Sequence, residues 1–79
     1  MVIIDITKDF EKKLNKLKKI SFIEKQINKI IVNPEVGKPM KYFRRGTREV
    51  YFSPFRISYA WIEKENKIIL LDIYHKDNQ

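Results

Sequence analysis

The apolar spacing of this chain changes once, at the segment Asn33-Pro34-Glu35-Val36-Gly37-Lys38-Pro39. Before it, apolar residues recur at helical intervals. Phe10, Leu14 and Leu17 stand at i, i+4, i+7, and Ile23, Ile27, Ile30 and Ile31 at i, i+4, i+7, i+8. Each set makes one face of a helix. After the segment, aromatic and β-branched residues mark strands, most clearly in Phe55-Arg56-Ile57-Ser58-Tyr59-Ala60-Trp61-Ile62. There Arg56, Ser58 and Ala60 fall on one face, and Phe55, Ile57, Tyr59 and Trp61 on the other. Helices gathered ahead of a run of strands indicate an α+β fold with the helices on one sheet face.

The boundaries follow from local chemistry. Val2 to Ile6 reads as a short strand. Thr7 is a helix N-cap, with Asp9 and Glu11 in the first turn, so a helix is expected over 8–19. Ser21-Phe22-Ile23-Glu24 has the capping-box pattern and starts a second helix. Asn33-Pro34 ends it, because the proline ring disfavours helical geometry at Asn33. A link of one or two residues forces an antiparallel helical hairpin. Gly37 and Pro39 mark a loop. Strands are expected over 40–45 and 47–52, joined at Arg45-Gly46, then over 55–62 after a Ser53-Pro54 turn. The last strand, Lys67 to Tyr74, follows a turn at Glu65-Asn66, and its apolar centre suits an interior position. The expectation is one domain over residues 1–79: an N-terminal strand and an antiparallel helical hairpin packed on a 4–5-stranded, largely antiparallel twisted sheet.

Composition narrows the function. The chain has 79 residues, no cysteine, and 17 basic against 10 acidic residues, a net charge of +7. A domain of this size buries only about 60% of its unfolded surface and is marginal alone. No disulfide can staple it, and the single His75 cannot build a zinc site. No metal or cofactor is expected. Two glycines make no phosphate-binding loop, and there is no Ser or Cys nucleophile motif. Apolar runs such as Ile68 to Leu71 are far short of the ~20 residues that span a bilayer. Asp5 interrupts the N-terminal apolar stretch, so no secretory signal is read and the expected location is the cytoplasm. The positive charge points to a polyanion, an acidic protein partner, or both. All four arginines, Arg44, Arg45, Arg48 and Arg56, lie within 13 residues, whereas the lysines concentrate on the helices. The rigid guanidinium fork suits phosphates and carboxylates. The same arginines would also serve as solvated residues or as ion-pair partners of Glu49 and Glu63.

The block Gly46-Thr47-Arg48-Glu49-Val50, then Phe55-Arg56-Ile57-Ser58-Tyr59, then Ile69-Leu70-Leu71-Asp72-Ile73-Tyr74-His75-Lys76 resembles the RelE/ParE toxin superfamily. Asn33-Pro34 and Gly37 ahead of Met40 fit that family's linker, and the likeness covers nearly the whole chain. The resemblance implies a RelE-like fold and the toxin half of a type II toxin–antitoxin pair. RelE-like members are endoribonucleases that cleave mRNA in the ribosomal A site. ParE-like members share the fold but act on DNA gyrase without being nucleases. An inactive basic RNA-binding relative is the third reading. The implied partners are a cognate RelB-like antitoxin, acidic and partly disordered when free, together with the ribosome and mRNA. No membrane partner is implied, and a hetero-oligomer with the antitoxin is expected.

Carried over by position, Arg56 matches the family's strand arginine at the scissile phosphate, and Lys76 a second C-terminal basic position, with His75 before it. Where RelE-like nucleases often have lysines, this chain has Glu49 and Tyr51. RNA cleavage by the 2′-hydroxyl needs a proton acceptor, donors for the phosphate and a proton for the leaving oxygen. The candidate catalytic residues are therefore Arg56 and Lys76 for the phosphate, His75 for proton transfer, and Arg48 beside them. Arg44, Arg45 and Lys41 are candidate phosphate contacts, and Tyr51 a candidate for base stacking or for donating a proton.

Overall fold

The structure, a computed structural model, describes residues 2–17, 20–39 and 46–75. In chain order it has strand β1 (Ile3–Ile6), helices α1 (Lys8–Leu17) and α2 (Ile20–Val32), then strands β2 (Lys38–Pro39), β3 (Thr47–Phe52), β4 (Phe55–Ile62) and β5 (Lys67–His75). The five strands form one sheet in the order β1-β5-β4-β3-β2. All pairs are antiparallel except β1 with β5. The apolar centre of β5 is explained by its interior place between β1 and β4.

Most boundaries follow the expected chemistry. The Thr7 hydroxyl accepts the Phe10 N–H at 3.2 Å, which caps α1, and donates to the Leu71 carbonyl at 2.8 Å. One side chain thus ends a strand connection and starts a helix. α2 ends at Val32. Beyond it the Asn33 side chain accepts the Glu35 N–H at 3.2 Å, closing a turn. Two expectations are corrected. Ser21 lies inside α2 rather than at its cap, since the helix begins at Ile20. Pro39 belongs to a strand and not to a loop, paired with Arg48; β2 is an edge strand, where a missing N–H is tolerated. The turn before β5 contains a 3-10 segment, Glu63–Glu65, closed by Asn66 at φ 51°. The strand expected over 40–45 lies outside the described residues.

The core sits between the helices and one sheet face. Phe10 of α1 and Ile23 and Ile30 of α2 pack on Phe52, Ile57, Tyr59, Ile68, Leu70 and Ile73. On β5 this set breaks alternation: Ile68 and Leu70 are even, Ile73 odd. A bulge explains it. Tyr59 pairs with Leu70 but Ser58 with Asp72, leaving Leu71 as the extra residue. The bulge lets both Leu70 and Ile73 face the helices.

Behind β3 the Tyr59 ring is fully buried, and its hydroxyl ties the α2–β2 loop to the sheet. It donates to the Pro34 carbonyl at 2.6 Å and accepts the Gly37 N–H at 3.0 Å. A Cβ on Gly37 would come within 2.8 Å of that hydroxyl and 3.0 Å of the Glu49 carbonyl oxygen, so only glycine fits here. Burial pushes the Tyr59 phenol above its ordinary value, against the Gly37 hydrogen bond and the nearby Arg48 charge, which pull it down. Tyr59→Phe leaves the Gly37 N–H and the Pro34 carbonyl without that partner. The expected cost is about 1–3 kcal/mol, read as a lower midpoint in thermal unfolding. The raised phenol also sets a pH dependence. The unfolded phenol ionises from about pH 10 while the folded one stays neutral, so wild-type stability should fall as pH rises above that value. The phenylalanine variant should lack this part of the loss.

Candidate functional site

Cross-strand register decides which side chains meet. Tyr51, Arg56 and Tyr74 stand directly opposite one another on β3, β4 and β5. Glu49 and Ser58 form the next row on the same face, while Asp72, beside the bulge, accepts a hydrogen bond from Lys13 of α1 at 2.7 Å. This is the sheet face turned away from Ile57 and Tyr59, hence away from the helices. On it the Arg56 guanidinium donates from Nη1 to Glu49 Oε1 at 2.9 Å. The other carboxylate oxygen of Glu49 accepts the Tyr74 hydroxyl. The guanidinium lies 5.6 Å from the centre of the Tyr51 ring, a cation–π distance. The Glu49 side chain is 17% exposed and that of Arg56 32%, so the pair is partly shielded but reachable. Arg56 Nε is buried and has no hydrogen-bond partner among the described residues. Tyr51 is 51% exposed. The pair opens into a cleft of about 660 Å³ that extends past β3 to α2.

The other candidates separate from Arg56. Arg48 pairs with Tyr59 and so faces the helix side. Its Nη1 donates to the Glu35 carbonyl at 3.1 Å and the Gly37 carbonyl at 2.8 Å. It holds the same loop as Tyr59 and does not share a surface with Arg56. His75 pairs with Phe55 and meets that ring edge-on at 5.5 Å, again on the helix side. The cause is the β5 bulge. Continued from the turn without it, the register would set Arg56 opposite Ile73 and bring His75 onto the Arg56 face. One extra residue exchanges His75 for Tyr74. Lys76, Lys41, Arg44 and Arg45 lie outside the described residues.

Two residues of this constellation were not candidates from sequence. In the sequence Glu49 stands only as an ion-pair partner or a departure from family lysines, and Tyr74 only as the end of the last strand. Alternation with Tyr51 gave a signal for Glu49. No sequence signal marked the bulge that turns Tyr74 inward.

A mixed five-stranded sheet carrying a helical hairpin on one face is the architecture of RelE-like toxins, and solved structures agree. The toxin–antitoxin complex RelBE of E. coli superposes with a TM-score of 0.80 at 13% identity, covering 95% of this chain and 96% of that one. The RelBE2 complex of Mycobacterium tuberculosis gives 0.81 at 20% identity, covering 94% and 96%. A metal-bound toxin from Helicobacter pylori gives 0.81 at 20%, covering 99% and 98%. At these identities the likeness establishes the fold. No curated protein matches in sequence. The family model described as "ParE toxin of type II toxin-antitoxin system, parDE" matches residues 4–79. The chain belongs to that family, and so is a type II toxin of the RelE/ParE superfamily.

Proposed function

We propose that this toxin is an endoribonuclease that cleaves mRNA in the ribosomal A site and thereby stops translation. The observation that carries this reading is the 2.9 Å contact between the Glu49 carboxylate and the Arg56 guanidinium on an accessible sheet face. A proton acceptor and a phosphate-binding donor stand side by side, as metal-independent RNA cleavage requires. Glu49 takes the proton of the 2′-hydroxyl. The 2′ oxygen attacks phosphorus, the bond to the 5′ oxygen breaks, and Arg56 stabilises the charge on the crowded phosphate. The products are a 2′,3′-cyclic phosphate and a 5′-hydroxyl. The leaving oxygen takes its proton from one of the two phenols at the site, Tyr51 or Tyr74. The base role thus passes from His75 to Glu49. Lys41, Arg44, Arg45 and Lys76 supply phosphate contacts that weaken with salt.

A cognate antitoxin restrains this activity in the cytoplasm. Structural neighbours include a RelE toxin held by a RelB peptide. A chain of +7 charge suits an acidic segment that folds on binding. One observation favours a second reading, inhibition of DNA gyrase without cleavage: Glu49 already neutralises Arg56 where RelE-like nucleases often carry lysines. Inducing the chain in cells without antitoxin separates the two. The expected result is arrested translation with mRNA cut within codons. Intact mRNA with DNA damage or gyrase arrest rejects the nuclease, and growth without either effect leaves an inactive relative.

A further inference from the structure

The two edges of the sheet differ. β2 is two residues long, and Pro39 lacks an N–H, so that edge offers little to pair with. β1, at the other edge, has four residues, Ile3–Ile6, with no proline, glycine or bulge. Its inner side is fixed. The Ile3 N–H donates to the Asn66 carbonyl at 2.9 Å, and the Thr7 N–H to the Leu70 carbonyl at 3.1 Å. Backbone groups alternate in direction along a strand, so those of Ile4 and Ile6 point away from the sheet. No described strand lies on that side. Ile3 is 55% and Ile6 49% exposed. A charge on an edge strand normally discourages pairing. The one on β1, Asp5, is already matched by Lys67 at 3.0 Å.

We propose that β1 is a self-association edge: two copies of the chain pair β1 with β1, antiparallel, about a two-fold axis at Ile4, so that one sheet runs through both. Symmetry and backbone direction select that register. Ile4 meets the same residue of the second copy and Ile6 meets Val2, which pairs the outward backbone groups from Val2 to Ile6. Val2 and Ile4 pack against the core, and alternation puts Ile6 on their face, so the seam is apolar there. On the other face Ile3 lies opposite Asp5. An axis at Asp5 would set two carboxylates face to face, and an axis at Ile3 would leave Ile6 unpaired. Charge selects the occupant. β1, α1 and β5 with the turn before it, residues 2–17 and 63–75, hold six acids and six lysines. The whole net charge of +7 lies on the remaining residues. An acidic segment is therefore drawn elsewhere on the molecule, while this side meets its own copy without net repulsion.

Sedimentation of the full chain over a range of concentrations tests this. The mass should rise from 9.6 kDa towards twice that value. Ile6→Lys keeps the fold, because the side chain is half exposed, and places a charge in the seam from each copy. It should weaken association by about tenfold or more. The chain has no cysteine, so Ile4→Cys reads the register directly. Cα atoms of a directly opposed, hydrogen-bonded pair are about 5.5 Å apart, within reach of a disulfide. Under mild oxidation this variant should cross-link much faster than Val32→Cys, a change at the 85% exposed end of α2. A chain that stays monomeric overturns the proposal. So does a dimer that folded Ile6→Lys leaves intact, or one in which Ile4→Cys cross-links no faster than Val32→Cys. A monomer whose affinity for its antitoxin falls with Ile6→Lys also overturns it, by assigning the edge to an antitoxin strand.

Discussion

Glu49→Gln should lower the rate of mRNA cleavage by about 10²- to 10⁴-fold, the usual contribution of a positioned general base. The amide matches the carboxylate in shape, and its carbonyl oxygen can still accept the Arg56 Nη1 hydrogen bond seen at 2.9 Å. The fold should therefore survive, and RNA should still bind. What disappears is the capacity to take a proton. The measurement is single-turnover cleavage of a defined mRNA in a translating extract, with circular dichroism to confirm folding. A loss confined to the chemical step supports Glu49 as the base. Wild-type cleavage by the folded variant would mean that the proton goes elsewhere.

Arg56→Ala should be comparably damaging to activity and more damaging to the fold. Removing a preorganised donor to a developing oxyanion typically costs about 10²- to 10³-fold in rate. The same change leaves the Glu49 carboxylate, 17% exposed, without its cation. That should cost about 1–3 kcal/mol of stability. Arg56→Lys separates the two effects, since it keeps the charge but lacks the planar fork. It should restore much of the melting midpoint and little of the cleavage rate. Glu49 and Arg56 act as a unit, so the double variant should lose less than the sum of the single losses. If folded Arg56→Lys remains fully toxic in cells, the guanidinium is not part of the mechanism.

The separation of His75 from Arg56 shows where reading from sequence stops. Residues 55–62 alternate clearly enough to assign each side chain of β4 to a face. Ile57 and Tyr59 are indeed in the core, with Arg56 on the other side. Relating β4 to β5 needs the register, and the register changes by one at the Leu71 bulge. A one-residue shift moves every later side chain to the opposite face. Nothing local at Leu71 announces it, because Leu70 and Leu71 are alike and the surroundings are uniformly apolar. The bulge is favoured by packing, since it lets both Leu70 and Ile73 bury against α1 and α2. Arg48 is a second case. Its position one residue before Glu49 puts it on the helix side, but only the folded loop places the carbonyls of Glu35 and Gly37 within its reach.

The sequence by itself determined the class of fold, the helical hairpin and four of the strands closely, among them the strand that carries Arg56. These depend on periodicity, capping and proline geometry, which act over a few residues. It also pointed to the superfamily through the order and spacing of short motifs. Only the tertiary structure decided that Glu49 and Tyr74, rather than His75 and Arg48, surround Arg56. The contacts around Arg56 join residues up to 25 positions apart. Their geometry is set by strand register and by the way helices pack on a sheet, and these depend on the burial of the whole core at once.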